Sequence, residues 1–304
     1  MKSDMRYIEL DGVHRDEYLI TFEDIDPNYR LSLTSALAYF QNSVAAFMTD
    51  RHIAAFDIRP EGFLWVISEI SMKLSEKSPL WREKLVSEVK VSELTSTRAY
   101  FDFRLMRENG EEYASGTGIW SPVSLATGRP VQISDICEMR NMDSAPQTRH
   151  PRLKFEESDS LISETAHLTT QSDMDFNKHV GNRSYINYAV SDFPEDFAES
   201  HFVSSLAIKF CRQTFVGDTL ISRCFRIGES ELDYIVRMAL PSGGEACILR
   251  IGWGGRTLPE PDAVTEMIPS DEVTSEIGSS IISPADALVM VYTALRLKTS
   301  FHTS

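Results

Sequence analysis

The chain has 304 residues, 42% hydrophobic and 25% charged, with a formal net charge of −15; that is the composition of a globular protein long enough for two cores. An acidic excess of this size repels a phosphate backbone and argues against nucleic acid as the partner. Cys137, Cys211, Cys224 and Cys247 form no CxxC pair, the first ten residues hold no apolar signal segment and no apolar run approaches a membrane span, so the expectation is a reduced, soluble, cytoplasmic protein with no membrane anchor.

Residues 22–31 (FEDIDPNYRL) carry Asp26-x-Asn28-x-Arg30 followed by an aliphatic residue. After this loop Leu33, Leu37, Phe40, Val44 and Phe47 share one helical face, with Ser32 or Thr34 as the N-cap. Strand-like runs follow at 63–74, 84–94, 98–107 and 113–121, the last two joined by the hairpin dipeptide Asn109-Gly110. Residues 134–154 lack periodicity, contain Pro146 and Pro151, and read as a linker. The linker holds Arg140, Arg149, His150, Arg152 and Lys154, the densest basic cluster in an acidic chain, although such runs are usually just solvated.

Residues 171–180 (QSDMDFNKHV) then repeat the first motif 149 positions later, as Asp175-x-Asn177-x-His179 would be read against Asp26-x-Asn28-x-Arg30. A second helical stripe (Ile186, Val190, Phe193, flanked by Tyr185 and Ala189) has Asn182 or Ser184 as its cap, and strands are predicted at 202–210, 218–227, 232–240 and 245–253. Ser242-Gly243-Gly244 turns the last pair. Residues 259–283 are acidic and Ser-rich, and 285–297 read as one more helix behind Ser283 and Pro284. The expected division is 1–133, a linker at 134–154, a second domain at 155–257 and a tail at 258–304. One helix against an all-antiparallel sheet in each repeat makes the fold class α+β.

Asp175, Asn177 and His179 stand at i, i+2 and i+4, so a turning segment can bring an acid, an amide and an imidazole to one side. The loop leads into a helix N-terminus, where backbone N–H groups and the dipole favour negative charge. An imidazole titrates near neutrality and suits general-base work; the guanidinium of Arg30 in the first copy cannot serve as a base. Chemistry is therefore expected in the second copy only. The competing reading is an Asx turn and helix cap with a merely satisfied histidine. No histidine pair stands at metal-ligand spacing, and GxGxxG, GxxxxGK[ST] and GxSxG are absent, so no metal and no cofactor is expected.

The duplicated layout, the block 175–182, the later Gly217-Asp218, the upstream 26–32 and Trp120 with Thr127-Gly128-Arg129-Pro130 resemble the acyl-[acyl-carrier-protein] thioesterase family, in its bacterial double-hotdog form, over residues 5–255. The resemblance implies two tandem hotdog domains, each an antiparallel sheet wrapped around a long central helix. It implies hydrolysis of fatty acyl thioesters on acyl carrier protein, terminating or diverting fatty acid synthesis. It matches Asp175, Asn177 and His179 to the family's catalytic Asp, Asn and His. The roles expected of them here are His179 as general base toward water or toward a carboxylate-directed attack, Asp175 orienting it or attacking directly, and Asn177 fixing the water and the thioester. It also exposes a departure. The family's Tyr-x-x-Glu reads Phe210-Cys211-Arg212-Gln213 here, followed by Thr214 where plant members carry cysteine. Gln213 can hold a water but cannot take a proton, and loss of one member of a coupled set can cost orders of magnitude in rate.

On the same resemblance the first domain is the acyl-pocket side. Phe40, Val44, Phe47 and Trp65 are its candidate lining, although aromatic stripes are more often plain core. Arg140, Arg149, Arg152 and Lys154 are the candidate docking face for an acidic carrier protein. Coenzyme A as the carrier, or a non-catalytic acyl-thioester binding protein, are the rival readings, and a homodimer stays open.

Overall fold

A computed structural model of the chain describes residues 7–27, 30–140 and 160–256. In chain order they form β1 (Tyr7–Glu9), β2 (His14–Leu19), α1 (Leu33–Asp50), α2 (Ala55–Ile58), β3 (Phe63–Leu74), β4 (Lys84–Leu94), β5 (Ala99–Arg107), β6 (Glu112–Ser124) and β7 (Glu138–Arg140). The second half continues with β8 (Ser160–Leu168), α3 (Asn182–Ser191), α4 (Glu195–Ser200), β9 (His201–Phe210), β10 (Thr219–Arg226), β11 (Asp233–Ala239) and β12 (Glu245–Gly255). The eight strands predicted after the two helices are all present, within a few residues of the predicted bounds.

Ten strands pair in a single sheet in the order β2-β4-β5-β6-β3-β9-β12-β11-β10-β8. The halves meet at β3 and β9, which run antiparallel with Ile70 opposite Ile208 and Met72 opposite Leu206. The two antiparallel sheets expected from the sequence are thus two hotdog halves fused edge to edge. Fusion removes one unpaired strand edge from each half, and unpaired edges invite aggregation. The described residues form one compact unit.

The start of the predicted linker is more ordered than its composition suggested. A 3₁₀ turn at Ile133–Asp135 leads into β7, which pairs parallel with β1 through Ile8 and Met139. That pairing depends on a partner more than 120 positions upstream, so local periodicity could not reveal it. The remainder of the linker, the acidic stretch 259–283 and the helix predicted over 285–297 lie outside the described residues.

α1 is capped as expected: the Ser32 hydroxyl accepts from the Ser35 N–H at 3.2 Å. Of its predicted face Leu37, Phe40, Val44 and Phe47 are buried, Leu33 is half-buried, and the helix packs on β2, β4 and β5. Phe40 stacks on Phe103 with ring centroids 3.9 Å apart and meets Trp120 edge-on at 5.5 Å, while Phe47 meets Phe101 edge-on. Each fully buried side chain of this size contributes about 1.5–3 kcal/mol by area alone.

α3 starts one residue earlier than predicted. Gly181, not Asn182 or Ser184, is its N-cap, because the Gly181 N–H is tied to the Asp173 carbonyl at 2.7 Å and so marks the entry to the helix. Tyr185, Ile186 and Ala189 are buried as predicted. Phe193 falls just past the helix end and packs edge-on against Tyr234 and Trp253.

Candidate active site

The two Asp-x-Asn motifs fold into the same loop. In each half a threonine closes a single 3₁₀ turn: Thr21 before Phe22–Asp24 and Thr170 before Gln171–Asp173. The aspartate carboxylate at the end of the turn accepts from the threonine N–H, at 2.9 Å in the first half and 2.7 Å in the second. Burial alone would raise the Asp173 carboxyl. The Thr170 hydroxyl and N–H, with the hydroxyls of Tyr188 and Ser184, outweigh that and hold it below the usual carboxylate range.

The motif itself follows. In the second half Met174 and Val180 bridge, the Asp175 N–H donates to the His179 carbonyl at 2.8 Å, and the Lys178 N–H donates to the Asp175 carbonyl at 3.0 Å. Asp175 Oδ1 accepts from the N–H groups of Asn177 (2.8 Å) and His179 (3.2 Å). This is an Asx turn, and it needs Lys178 at φ +64, a conformation uncommon for a non-glycine residue. In the first half Ile25 bridges Leu31, the Asp26 N–H donates to the Arg30 carbonyl at 2.7 Å and the Arg30 N–H donates to Asp26 Oδ1 at 3.2 Å. The repeat is therefore one of hydrogen bonds as well as letters, with a guanidinium where the second copy has an imidazole.

Asp175 and His179 come together through the main chain. The carboxylate holds the His179 backbone, and among the described residues no hydrogen bond or ion pair links it to the imidazole ring. The half-buried His179 ring lies edge-on to Phe215 at 5.1 Å. Asn177 is half-buried as well, and its Oδ1 accepts from Arg59 Nη1 at 3.1 Å. Phe56, also from the first half, meets Phe176 at 5.5 Å.

Gln213 is exposed, at the start of the turn between β9 and β10. Its neighbour Thr214 is fully buried and touches both the loop and α3. The Thr214 carbonyl accepts from the Val180 N–H at 2.9 Å, and its hydroxyl is 2.6 Å from the Tyr185 hydroxyl. Burial pushes the Tyr185 phenol up to about 12 despite that hydrogen bond. Arg59, Phe56, Phe215 and Tyr185 were not singled out from the sequence as site residues. The first two reach the loop from the other half, and only the place of Thr214 beside Gln213 could have drawn attention to its partner Tyr185.

Behind the loop the halves diverge chemically on a shared frame. Tyr18 stacks on Tyr39 in the first half, and His167 stacks on Tyr188 in the second, at centroid distances of 4.2 and 4.6 Å. Tyr18 hydrogen-bonds Ser43, whose hydroxyl donates to Ser87. His167 Nε2 pairs with Asp192 Oδ1 at 2.9 Å, and Asp192 Oδ2 accepts from the Ser222 hydroxyl at 2.5 Å.

Phe40, Val44, Phe47 and Trp65 all lie in the core of the first half, with Trp65 Nε1 donating to the Ile53 carbonyl at 2.8 Å. Arg140 ends β7, whereas Arg149, Arg152 and Lys154 lie outside the described residues. Among the described residues no group of three His, Cys, Asp or Glu side chains is placed to hold a metal, and no helix is long and apolar enough to cross a membrane.

Family models match both halves: the acyl-ACP thioesterase N-terminal domain over residues 11–139 and the acyl-ACP thioesterase C-terminal domain over 157–253. The chain is 24% identical over 234 residues to a chloroplastic palmitoyl-acyl carrier protein thioesterase of Gossypium hirsutum, covering 71% of this chain and 54% of the relative. It is 23% identical over 199 residues to the chloroplastic oleoyl-acyl carrier protein thioesterase 1 of Arabidopsis thaliana, covering 60% and 54%. The chain thus spans about half the length of these two relatives. The fold is shared with the crystal structure of an acyl-ACP thioesterase from Bacteroides thetaiotaomicron (TM-score 0.68, 19% identity, 80% of this chain and 98% of that one). It is shared equally with a 12:0-ACP thioesterase from Umbellularia californica (TM-score 0.68, 18% identity, 80% and 94%).

Proposed function

The chain belongs to the acyl-ACP thioesterase family, and from that premise we propose that it hydrolyses fatty acyl thioesters of acyl carrier protein to free fatty acid and carrier thiol, with the chemistry confined to the second half. The observation that carries this reading is the Asp175–Val180 loop, which is closed by Asp175 Oδ1 on two main-chain N–H groups and presents His179 half-buried at the N-terminus of α3.

In this reading His179 takes a proton from water, the water oxygen attacks the thioester carbonyl, and the C–S bond breaks as the imidazolium returns the proton to the departing sulfur. Asp175 supports His179 by fixing its backbone. Asn177 and the first N–H groups of α3 face the reacting ester, where negative charge develops. Gln213, in place of the family's glutamate, contributes hydrogen bonds only.

The first half supplies the apolar side. Phe40, Val44, Phe47 and Trp65 are the side chains that an acyl chain entering between α1 and the sheet would meet. The basic residues Arg140, Arg149, Arg152 and Lys154 are the proposed docking face for the carrier protein. Charge reversal there should slow hydrolysis of the carrier-bound substrate and leave a small-molecule thioester unaffected. The direct test of the function is product analysis: incubation with carrier protein loaded with acyl groups of different length should release the free acids. An absence of any released acid would refute the proposal, and a preference for the matching coenzyme A thioesters would reassign the carrier.

A further inference from the structure

Two arginines cross between the halves, each to the Asp-x-Asn loop of the other. Arg256, at the end of β12, pairs with Asp26 Oδ2 in the first loop at 3.3 Å, a conventional ion pair. Arg59 does something different: its Nη1 donates to the Asn177 amide in the second loop, at 3.1 Å. Among the described residues Arg59 has no carboxylate partner, and its hydrogen bond to that amide is the one side-chain contact it makes across the halves. The position of Arg59 is well fixed although its side chain is exposed. It opens a 3₁₀ turn completed by Pro60 and Glu61, directly after α2. α2 is pinned by the buried Ile58 and by the Asp57 carboxylate, which accepts from the Ala54 N–H at 2.8 Å. Phe56 against Phe176 gives the same segment a second contact with the loop.

A guanidinium has donors and no acceptor. The Asn177 atom facing Arg59 must therefore be the carbonyl oxygen, and the amide orientation, ordinarily ambiguous, is settled by chemistry. With the carbonyl oxygen engaged by Arg59, the Asn177 –NH₂, which only donates, points away from the guanidinium as the amide's donor for the reaction. Such a group cannot orient a water by accepting its proton; it can hydrogen-bond an oxygen that is gaining negative charge. The cation on the far side of the amide strengthens that donation, since hydrogen bonds in a charge-assisted chain are the stronger ones. Resting on the reading of the site as a thioesterase, we propose that Arg59 is a positioning residue for catalysis. The first half uses it to turn Asn177 into a dedicated donor for the oxyanion formed in the second half.

The test is steady-state hydrolysis of palmitoyl-acyl carrier protein by wild type, Arg59→Ala, Arg59→Lys, Asn177→Ala and the Arg59→Ala/Asn177→Ala pair, with the melting temperature of each. Arg59→Ala should lower kcat by about tenfold with KM changed by less than about twofold and melting unaltered, because the interaction strengthens only as charge develops. Arg59→Lys, which keeps a cation, should recover part of that loss. In the Asn177→Ala background the further loss of Arg59 should cost nothing, the signature of two groups acting as one. A wild-type kcat in Arg59→Ala, or losses that multiply in the double variant, would overturn the inference while leaving the thioesterase reading standing. A wild type that releases no acid overturns the reading of the site and this inference with it.

Discussion

His179 and Arg30 occupy the same place in two copies of one loop, and that single exchange leaves only the second copy a side chain able to act as a base there. The spacing of Asp175, Asn177 and His179 was readable because the turn is local: the hydrogen bonds within Asp175–His179 span at most four residues. Arg59 was not readable, since its contact with Asn177 crosses 118 positions and leaves no periodic trace. The convergence of carboxylate and imidazole was half anticipated, for the carboxylate reaches His179 through its N–H group rather than its ring. Gln213 offers a test of its own. Gln213→Glu returns a proton acceptor to a position where the family carries one, and kcat on palmitoyl-acyl carrier protein should rise several-fold, as expected when a missing general base is restored. The thiols provide a check on packing. Cys137, Cys224 and Cys247 are buried, and burial pushes the Cys224 thiol up to about 12 and that of Cys247 well above its ordinary value. Native protein should therefore take up one maleimide, at the exposed Cys211, and labelling of more than one site would contradict the packing.

The 3₁₀ turns that precede each loop carry much of the local order, and their threonine–aspartate pairs stand in the sequence at the same 149-residue offset as the motifs. Asp173 is held below its ordinary value in the folded state, so it binds fewer protons folded than unfolded near its titration range. Its contribution is present above the unfolded value, about 3.9, and is lost as pH falls through the lowered folded value. Thr170→Val removes the hydroxyl and should cost about 1 kcal/mol at pH 7. In urea unfolding the gap between variant and wild type should shrink below about pH 4, and a gap independent of pH would contradict the role given to Asp173. In β6 the constraint is steric. A Cβ on Gly116 would come 2.0 Å from the Ser71 carbonyl oxygen of β3, a backbone atom that cannot step aside. Gly116→Ala should destabilise by about 2 kcal/mol or more, measured by denaturant midpoint. Strand existence and turn placement were legible from alternation and from Asn109-Gly110. The N-cap of α3 was not, because Gly181 is fixed by a main-chain bond to Asp173 rather than by a capping side chain.

At the scale of the molecule, the duplication was visible but the shared sheet was not. Either half alone satisfies the hydrophobic pattern, and the pairing of Ile70 with Ile208 is decided only when both halves are folded. Because β3 and β9 lie in the middle of one ten-stranded sheet, the halves should unfold together. Trp120 in the first half and Trp253 in the second are both buried reporters; single-tryptophan variants retaining one or the other should give coincident urea transitions, and two separated transitions would show independent halves. The contacts of Arg59 and Phe56 make the same point for the proposed site, since the Asp175–Val180 loop is touched from the other half. The central claim is that the second half's imidazole performs the hydrolysis. It is tested most directly by the rate at which wild type and His179→Ala release palmitate from palmitoyl-acyl carrier protein, at equal fold by circular dichroism. A loss of about a hundredfold or more in His179→Ala is predicted, and equal rates would contradict the account.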